Sequence, residues 1–223
     1  MYSTKITEIR LGLTILFWIV SLLEIVGVVL HNTQLQLVFK PMIMLSLIAL
    51  YYFSIEKVNK WYSIALLFSF FGDVLLLDKN NMFLYGIAAF LITQLLYIKI
   101  INSQLQKSDF KQKSKAFVPF ILFFILLLIV VKENLGSFLV PVVVYGIAIS
   151  FFGAMALLNY LIRKTKRTQW LLFGAILFIS SDSMIALHKF HEPKSFYPTA
   201  IMVTYILAQY LIYNYMLSHV DTD

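Results

Sequence analysis

Residues 11–30 read LGLTILFWIVSLLEIVGVVL, twenty residues in which Glu24 is the only charged side chain. A helix that crosses the hydrocarbon core of a bilayer needs about 20 mostly apolar residues. Comparable runs recur along the 223-residue chain, which is 61% hydrophobic and 13% charged, whereas globular domains are about 25% charged. The sequence therefore predicts an all-α, polytopic transmembrane helical bundle. It excludes a soluble enzyme and a disordered chain, and the absence of cysteine excludes disulfides, thiolate metal sites and catalytic thiols.

Eight apolar segments are predicted to span the membrane. The fifth is the shortest, and a seven-span alternative leaves it out. The first follows Lys5 and Arg10 as a signal peptide would, but it is long, contains Glu24 and ends without a small-residue cleavage site, so we expect it to be retained. The predicted spans are residues 11–30, 38–53, 61–77, 82–98, 117–131, 139–161, 170–187 and 199–217.

Lysine and arginine are distributed unequally between the two sides of these spans. The side with both termini holds thirteen of them, and the other side holds five. Basic residues accumulate in cytoplasmic loops, so both termini are predicted to be cytoplasmic, with a bacterial inner membrane as the expected location. Topology thus explains the net charge of +7 without nucleic acid. Membrane lipids, in particular their anionic headgroups, are the expected neighbours of residues 107–115, and the sequence does not indicate whether the protein has protein partners. The five residues on the far side are Lys40, Lys79, Lys132, Lys189 and Lys194.

Few ionisable side chains lie inside the predicted spans. A charge near the bilayer centre costs about 2.5–3.5 kcal/mol, which makes each one a functional candidate. Asp73 and Asp182 both lie twelve residues after the tryptophan that begins their span, and a rise of 1.5 Å per residue places both about 18 Å deep. Glu24 and Lys40 are predicted at a similar depth. The four residues together predict one polar cavity in the outer half of the membrane.

The two halves of the chain are weakly similar. Each aspartate is followed on the next span by a glutamine, Gln94 in the first half and Gln209 in the second. Four spans per half would make residues 1–104 and 105–223 parallel repeats, related by an axis along the membrane normal. Both halves are expected to form a single membrane domain, residues 1–223.

Two helix faces carry further candidates for substrate binding. Tyr205 and Gln209 are four residues apart on the eighth span, and the fourth span has a similar stripe. Helix packing is the alternative explanation for the stripe, the amides and Glu24, and the aspartates could simply tie helices together or pair with Lys40. His188 and His191 could together bind a metal ion, but the sequence shows no evident third ligand for it. The stripe comprises Phe83, Gly86, Phe90, Gln94 and Tyr97.

At these residues the sequence resembles the YhhN family, the integral-membrane lysoplasmalogenases. The resemblance extends from the second span to the eighth. One departure is that the family pattern commonly has a histidine where this chain has Gln94, which can form hydrogen bonds but cannot transfer protons. The matching pieces are Lys40-Pro41, FSFFGDVLL at 68–76, Phe83-x-x-Gly86-x-x-x-Phe90, GAILFISSDS at 174–183, Lys189-Phe190 and TYILAQY at 204–210.

The resemblance implies hydrolysis of the vinyl-ether bond of a lysoplasmalogen, an alkenyl lysophospholipid, to a fatty aldehyde and a glycerophospho-alcohol. Such a bond is cleaved by protonation of its outer alkene carbon, which requires a protonated acid, and a second carboxylate then activates water. Burial in an apolar site favours a protonated carboxyl group. Asp73 and Asp182 are therefore predicted to share the acid and base roles, with no metal or cofactor. Lys40 is predicted to hold the lipid phosphate, and the Phe90 face to line the acyl-chain groove.

The main alternative is a small-solute or lipid transporter with a polar cavity, because parallel repeats are common among transporters. Transporters usually break helices at matching mid-span positions in both halves. Pro41 and Pro141 match in order but lie near the starts of their spans, which favours the hydrolase. A purely structural membrane subunit would not need two carboxylates at equal depth.

Overall fold

A computed structural model of the chain describes residues 2–78 and 81–217, with side chains from residue 7 onward. Over these residues the chain forms eight α-helices and no strand, which confirms the all-α prediction. The side chain of Lys5 and the whole of Lys79, both part of the charge argument, lie outside the described residues. The helices are α1 (Tyr2–Val29), α2 (Thr33–Ser54), α3 (Lys60–Leu75), α4 (Phe83–Gln104), α5 (Phe110–Val131), α6 (Leu139–Arg163), α7 (Lys166–Phe190) and α8 (Tyr197–Leu217).

Seven of the described helices are long and apolar enough to cross a membrane. The exception is α3, whose 16 residues extend about 24 Å, less than the ~30 Å of a typical hydrocarbon core. The seven-span alternative, which leaves out the fifth segment, is wrong. α5 has 22 residues and is one of the seven qualifying helices. Its first turns are polar, so a search for apolar segments does not include them. The Asp109 side chain accepts a hydrogen bond from the Gln112 N–H, and this capping box starts the helix before the apolar run.

Polar caps also extend two other helices beyond their apolar segments. Asn32 accepts hydrogen bonds from the N–H groups of Gln34 and Leu35, so α2 begins five residues before its predicted span. Thr165 forms a capping box with Thr168 at the start of α7. As a result, residues expected near the ends of spans lie further inside continuous helices.

The described chain divides into two compact units. The first contains α1, α2, α3 and the part of α4 up to Thr93, with Met216 and Leu217; the second is Gln94–Tyr215. In the first unit α3 packs closely on α4 through small residues. The Ser69 hydroxyl donates to Thr93 Oγ1 over 3.3 Å, and a Cβ atom at Gly72 would lie 2.6 Å from the Phe90 ring. These contacts show that small residues near Asp73 allow the two helices to approach closely.

In the second unit, α6 packs against both α5 and α7, and a polar cluster around Gln104 joins four helices at one end. Arg163 donates to the Gln104 carbonyl oxygen over 2.9 Å. Arg167 and the Tyr215 hydroxyl both donate to Gln104 Oε1 over 3.0 Å. Since these residues come from α4, α6, α7 and α8, the cluster fixes the ends of those helices relative to one another.

Candidate active site

Asp182 lies in α7 of the second unit, half-buried, and accepts a hydrogen bond from the Tyr145 hydroxyl of α6. Tyr145 is also partly buried. A phenol that donates to a carboxylate fixes the rotamer of the acid and shields one of its two oxygens. The other oxygen is then oriented for chemistry, so the pair forms a defined polar group on two packed helices.

The Asp182 carboxyl group lies at a cleft formed by α5, α6 and α7. Apolar side chains make up most of its walls, and Asp182, Tyr145, Ser150 and Ser183 are its polar members. Its volume of about 50 Å³ corresponds to one or two water molecules, each of which occupies about 30 Å³ in the liquid. The remaining walls are Phe123, Phe124, Leu127, Leu128, Val131, Val142, Gly146, Ile149, Ile179 and Ala186.

One wall of the cleft is the most lipid-exposed helix of the unit. Only 11% of the residues in the most apolar stretch of α5 are buried inside the protein, and the Phe123 side chain is 42% exposed. Phe124 packs so closely on α6 that a Cβ atom at Gly146 would lie 2.1 Å from its ring. The α5 wall of the cleft is therefore exposed at Phe123 and packed against α6 at Phe124.

Three of the predicted substrate-binding residues form one hydrogen-bonded chain in the second unit. The Tyr97 hydroxyl donates to Gln209 Oε1 over 3.0 Å, and Gln209 Nε2 donates to the Tyr205 hydroxyl over 3.2 Å. All three side chains are buried. Gln94, three residues before Tyr97 on α4, is fully buried beside the Tyr145 hydroxyl but has no hydrogen bond of normal geometry among the described residues.

The other predicted residues belong to the first unit. Glu24 is fully buried in α1, and Lys40 is half-buried seven residues after the start of α2. Asp73 is 2% exposed and lies in the last turn of α3, two residues before the helix ends. Phe90 is buried over Gly72, which is the packing contact that the alternative reading of the stripe expected. A common site for these residues and Asp182 stays a prediction.

Sequence reasoning missed Tyr145. It lies in the apolar run VPVVVYGIAI of the sixth predicted span, and it is one of thirteen tyrosines in the chain. A phenol among branched aliphatic residues was the available signal, but tyrosine is tolerated in many membrane helices. Its importance depends on the packing of α6 against α7, a contact between residues 37 positions apart.

Chemically, the site offers a carboxyl group, a phenol and room for water beside an apolar wall. These groups can transfer protons and activate water. Among the described residues there is no cluster of three or more histidine, aspartate or glutamate side chains that could hold a metal ion. His188, considered above with His191, packs its ring against Tyr197 at 6.0 Å.

The long apolar helices and the internal polar site define a multi-pass helical membrane protein. The chain belongs to the YhhN family, whose model matches residues 35–216, and this confirms the resemblance noted in the sequence. Two curated relatives are named Lysoplasmalogenase, one from Mycobacterium bovis (strain ATCC BAA-935 / AF2122/97) and one from Mycobacterium tuberculosis (strain CDC 1551 / Oshkosh). Each is 31% identical over 163 residues, covering 71% of this chain. The match spans 60% of the length of those relatives. No solved structure matches the chain.

Proposed function

We propose that this protein hydrolyses the vinyl-ether bond of lysoplasmalogens, releasing a fatty aldehyde and a glycerophospho-alcohol. The observation that carries the proposal is the Asp182 carboxyl group, held by Tyr145 at an apolar cleft of a helical membrane protein. An apolar cleft suits a long alkenyl chain, and a carboxyl group suits proton transfer to or from the reacting atoms. The name shared by the two mycobacterial relatives indicates the substrate class.

The proposed reaction begins with protonation of the outer alkene carbon by Asp73. The alkene electrons form the new C–H bond, and the inner carbon becomes an oxocarbenium ion. Asp182 accepts a proton from water as the water oxygen bonds to that carbon, which gives a hemiacetal. Transfer of the Asp182 proton to the glycerol oxygen and of the hemiacetal hydroxyl proton to Asp73 breaks the C–O bond. Both side chains then return to their starting states.

The assignment of water activation to Asp182 rests on its surroundings. The Tyr145 hydroxyl donates to the carboxylate, and such a hydrogen bond stabilises the ionised form that a base requires. The space beside it is the size of one or two waters. Two carboxyl groups on either side of an oxocarbenium ion are also the arrangement that glycosidases use for a related cation.

The other predicted residues keep their roles in the proposal as substrate contacts. Lys40 binds the lipid phosphate, and Phe90 contacts the alkenyl chain. The polar side chains position the vinyl ether without transferring protons, which suits Gln94 in particular. This polar group comprises Glu24, Gln94, Tyr97, Tyr205 and Gln209.

The proposal is tested by aldehyde release from detergent-purified protein. We expect aldehyde from an alkenyl lysophospholipid and none from its acyl or alkyl counterparts. Asp73→Asn and Asp182→Asn should each lower turnover by about 10²-fold or more, the usual contribution of general acid–base catalysis. Asp78→Asn is the matched control, because Asp78 is an exposed acid just after α3.

Folding of each variant is checked by a monodisperse gel-filtration profile and an unchanged helical circular dichroism spectrum. Near-normal activity in both single Asn variants would exclude the two-carboxylate mechanism. A folded wild-type protein that releases no aldehyde would exclude the hydrolase and favour transport. The proposal also includes a bacterial inner membrane with both termini in the cytoplasm, which follows from the distribution of basic residues.

A further inference from the structure

A second cavity lies in the second unit, where α4 ends and α5 begins. Its volume is about 510 Å³, within the range of 300–1,000 Å³ typical of small-molecule sites. It is lined by Asn102, Leu105, Gln106, Lys107, Ser108, Lys113, Phe117, Met155 and Leu158. None of these residues takes part in the proposed hydrolysis.

The lining of this cavity is amphipathic. Lys107 and Lys113 bring two positive charges, and neither is in an ion pair among the described residues. The nearest acid in sequence, Asp109, is engaged in capping α5, where it accepts a hydrogen bond of 2.6 Å from the Gln112 N–H. The lining also includes apolar side chains, among them Phe117 from α5 and Met155 from α6.

The cavity lies away from the Asp182 carboxyl group along α6. The cleft contacts α6 from Val142 to Ser150, and the cavity contacts it at Met155 and Leu158. Tyr145, which donates a hydrogen bond to Asp182, is ten residues before Met155, about 15 Å along the helix at 1.5 Å per residue. The glycerol backbone of a lysophospholipid, three carbons long, cannot join a phosphate in one to a vinyl ether in the other. The two lysines therefore serve a different ligand from the substrate bound at Asp182.

We propose that this cavity binds an anionic phospholipid, with its phosphate between Lys107 and Lys113 and the upper part of one acyl chain along Phe117 and Met155. Basic side chains at the membrane surface attract anionic headgroups. A phosphate group could also come from a soluble anion, but the apolar wall favours a lipid. The polar segment 105–109 joins apolar helices at this point, which is the depth of a headgroup.

The test measures lipid binding to the full detergent-purified chain by native mass spectrometry. Short-chain phosphatidylglycerol is the probe, phosphatidylcholine is the zwitterionic comparison, and inorganic phosphate is the soluble competitor. The variant is Lys107→Gln with Lys113→Gln. The matched control is Lys111→Gln with Lys115→Gln, which removes the same charge from the same segment at positions outside the cavity; all four lysines are exposed.

We expect the cavity variant to bind phosphatidylglycerol about 20-fold more weakly, since each lysine near a charged membrane surface contributes on the order of fivefold. The control should change binding by less than about threefold, because Lys111 and Lys115 do not line the cavity. Met155→Trp, which fills the apolar side without changing charge, should also weaken binding. All three should keep aldehyde release from short-chain substrate.

Three results would overturn the proposal. Equal losses in the two double variants would indicate general charge attraction rather than a site. Displacement of the lipid by inorganic phosphate would indicate a soluble anion as the ligand. Unchanged binding in both Lys107→Gln/Lys113→Gln and Met155→Trp would exclude the cavity. Because aldehyde release is measured separately, failure here is distinguishable from failure of the proposed hydrolysis.

Discussion

Among the individual residues, Tyr145 and Asp182 are the most informative pair, because their hydrogen bond joins two helices at the cleft. The phenol does not itself need to exchange protons with substrate. It holds the carboxylate in one orientation and supports its charge. We therefore regard Tyr145 as a positioning residue that acts through Asp182.

Replacing Tyr145 tests this role. In Tyr145→Phe the ring remains and the hydrogen bond is lost, and hydrogen bonds to charged groups are worth about 1.5–3 kcal/mol. We expect kcat to fall by about 10- to 100-fold with KM nearly unchanged. Steady-state kinetics of aldehyde release provides the measurement. If Tyr145 had only a structural role, the substitution would lower stability without lowering kcat at a nearly unchanged KM.

The control for this substitution is Tyr160→Phe on the same helix, because Tyr160 has no described side-chain hydrogen bond and lies outside the cleft. It should retain wild-type kcat. Equal kcat values for Tyr145→Phe and Tyr160→Phe would remove Tyr145 from the mechanism.

At the scale of helices, α5 and α6 form a close contact beside Asp182. Gly146 lets the Phe124 ring lie directly against α6, at a distance where no Cβ atom fits. The ring then closes one side of the cleft. The glycine matters here through close approach rather than through backbone freedom.

Gly146→Ala should therefore displace Phe124 and alter substrate access. We expect KM for the alkenyl substrate to change several-fold, and stability to fall because overpacking a tight contact costs about 1–3 kcal/mol. Thermal unfolding and KM are the two measurements. Gly12→Ala is the control, since a Cβ atom there meets nothing within 4 Å, and alanine in a helix is favoured over glycine by about 1 kcal/mol.

If Gly146→Ala leaves both the melting temperature and KM unchanged, Phe124 is mobile enough to make the contact irrelevant. In that case, the α5 wall does not affect how the substrate reaches Asp182.

The helices also show which features could be predicted from the sequence. The apolar runs predicted eight helices, and Asp182 stood out because acids are rare in such runs. The start of α5 was missed because a capping box, and not hydropathy, extends the helix through lysines. The shortness of α3 was missed because the apolar run continues past Leu75 into a turn. Tyr145 was missed because its role depends on contact with a helix distant in the sequence.

For the whole molecule, the question raised by α3 is whether its 16 residues cross the membrane. If they do, the ends of α3 lie on opposite sides, and the basic segments fall on one common side, which the sequence predicts to be cytoplasmic. Local thinning of the bilayer allows a short helix to span at a modest energetic cost.

The cysteine-free chain allows this to be measured by labelling single introduced cysteines in intact cells with a membrane-impermeant maleimide. Lys57→Cys precedes α3 and should react only after the cells are permeabilised. Met82→Cys follows α3 and should react from outside. Labelling of both positions from the same side would show that α3 does not cross and would reverse the predicted orientation of one part of the chain.

The central claim is a hydrolysis that begins with protonation of the alkene and in which Asp182 activates water, and it predicts where solvent atoms appear in the products. The reaction is run in D₂O on an alkenyl lysophospholipid, the aldehyde is trapped at once by reduction, and both products are examined by mass spectrometry. The account predicts one deuterium on the carbon next to the former aldehyde carbon, because that is the protonated alkene carbon. Asp182→Asn should abolish this product, while Asp78→Asn should preserve it. Aldehyde without that deuterium, or full deuterated product from Asp182→Asn, would contradict the account.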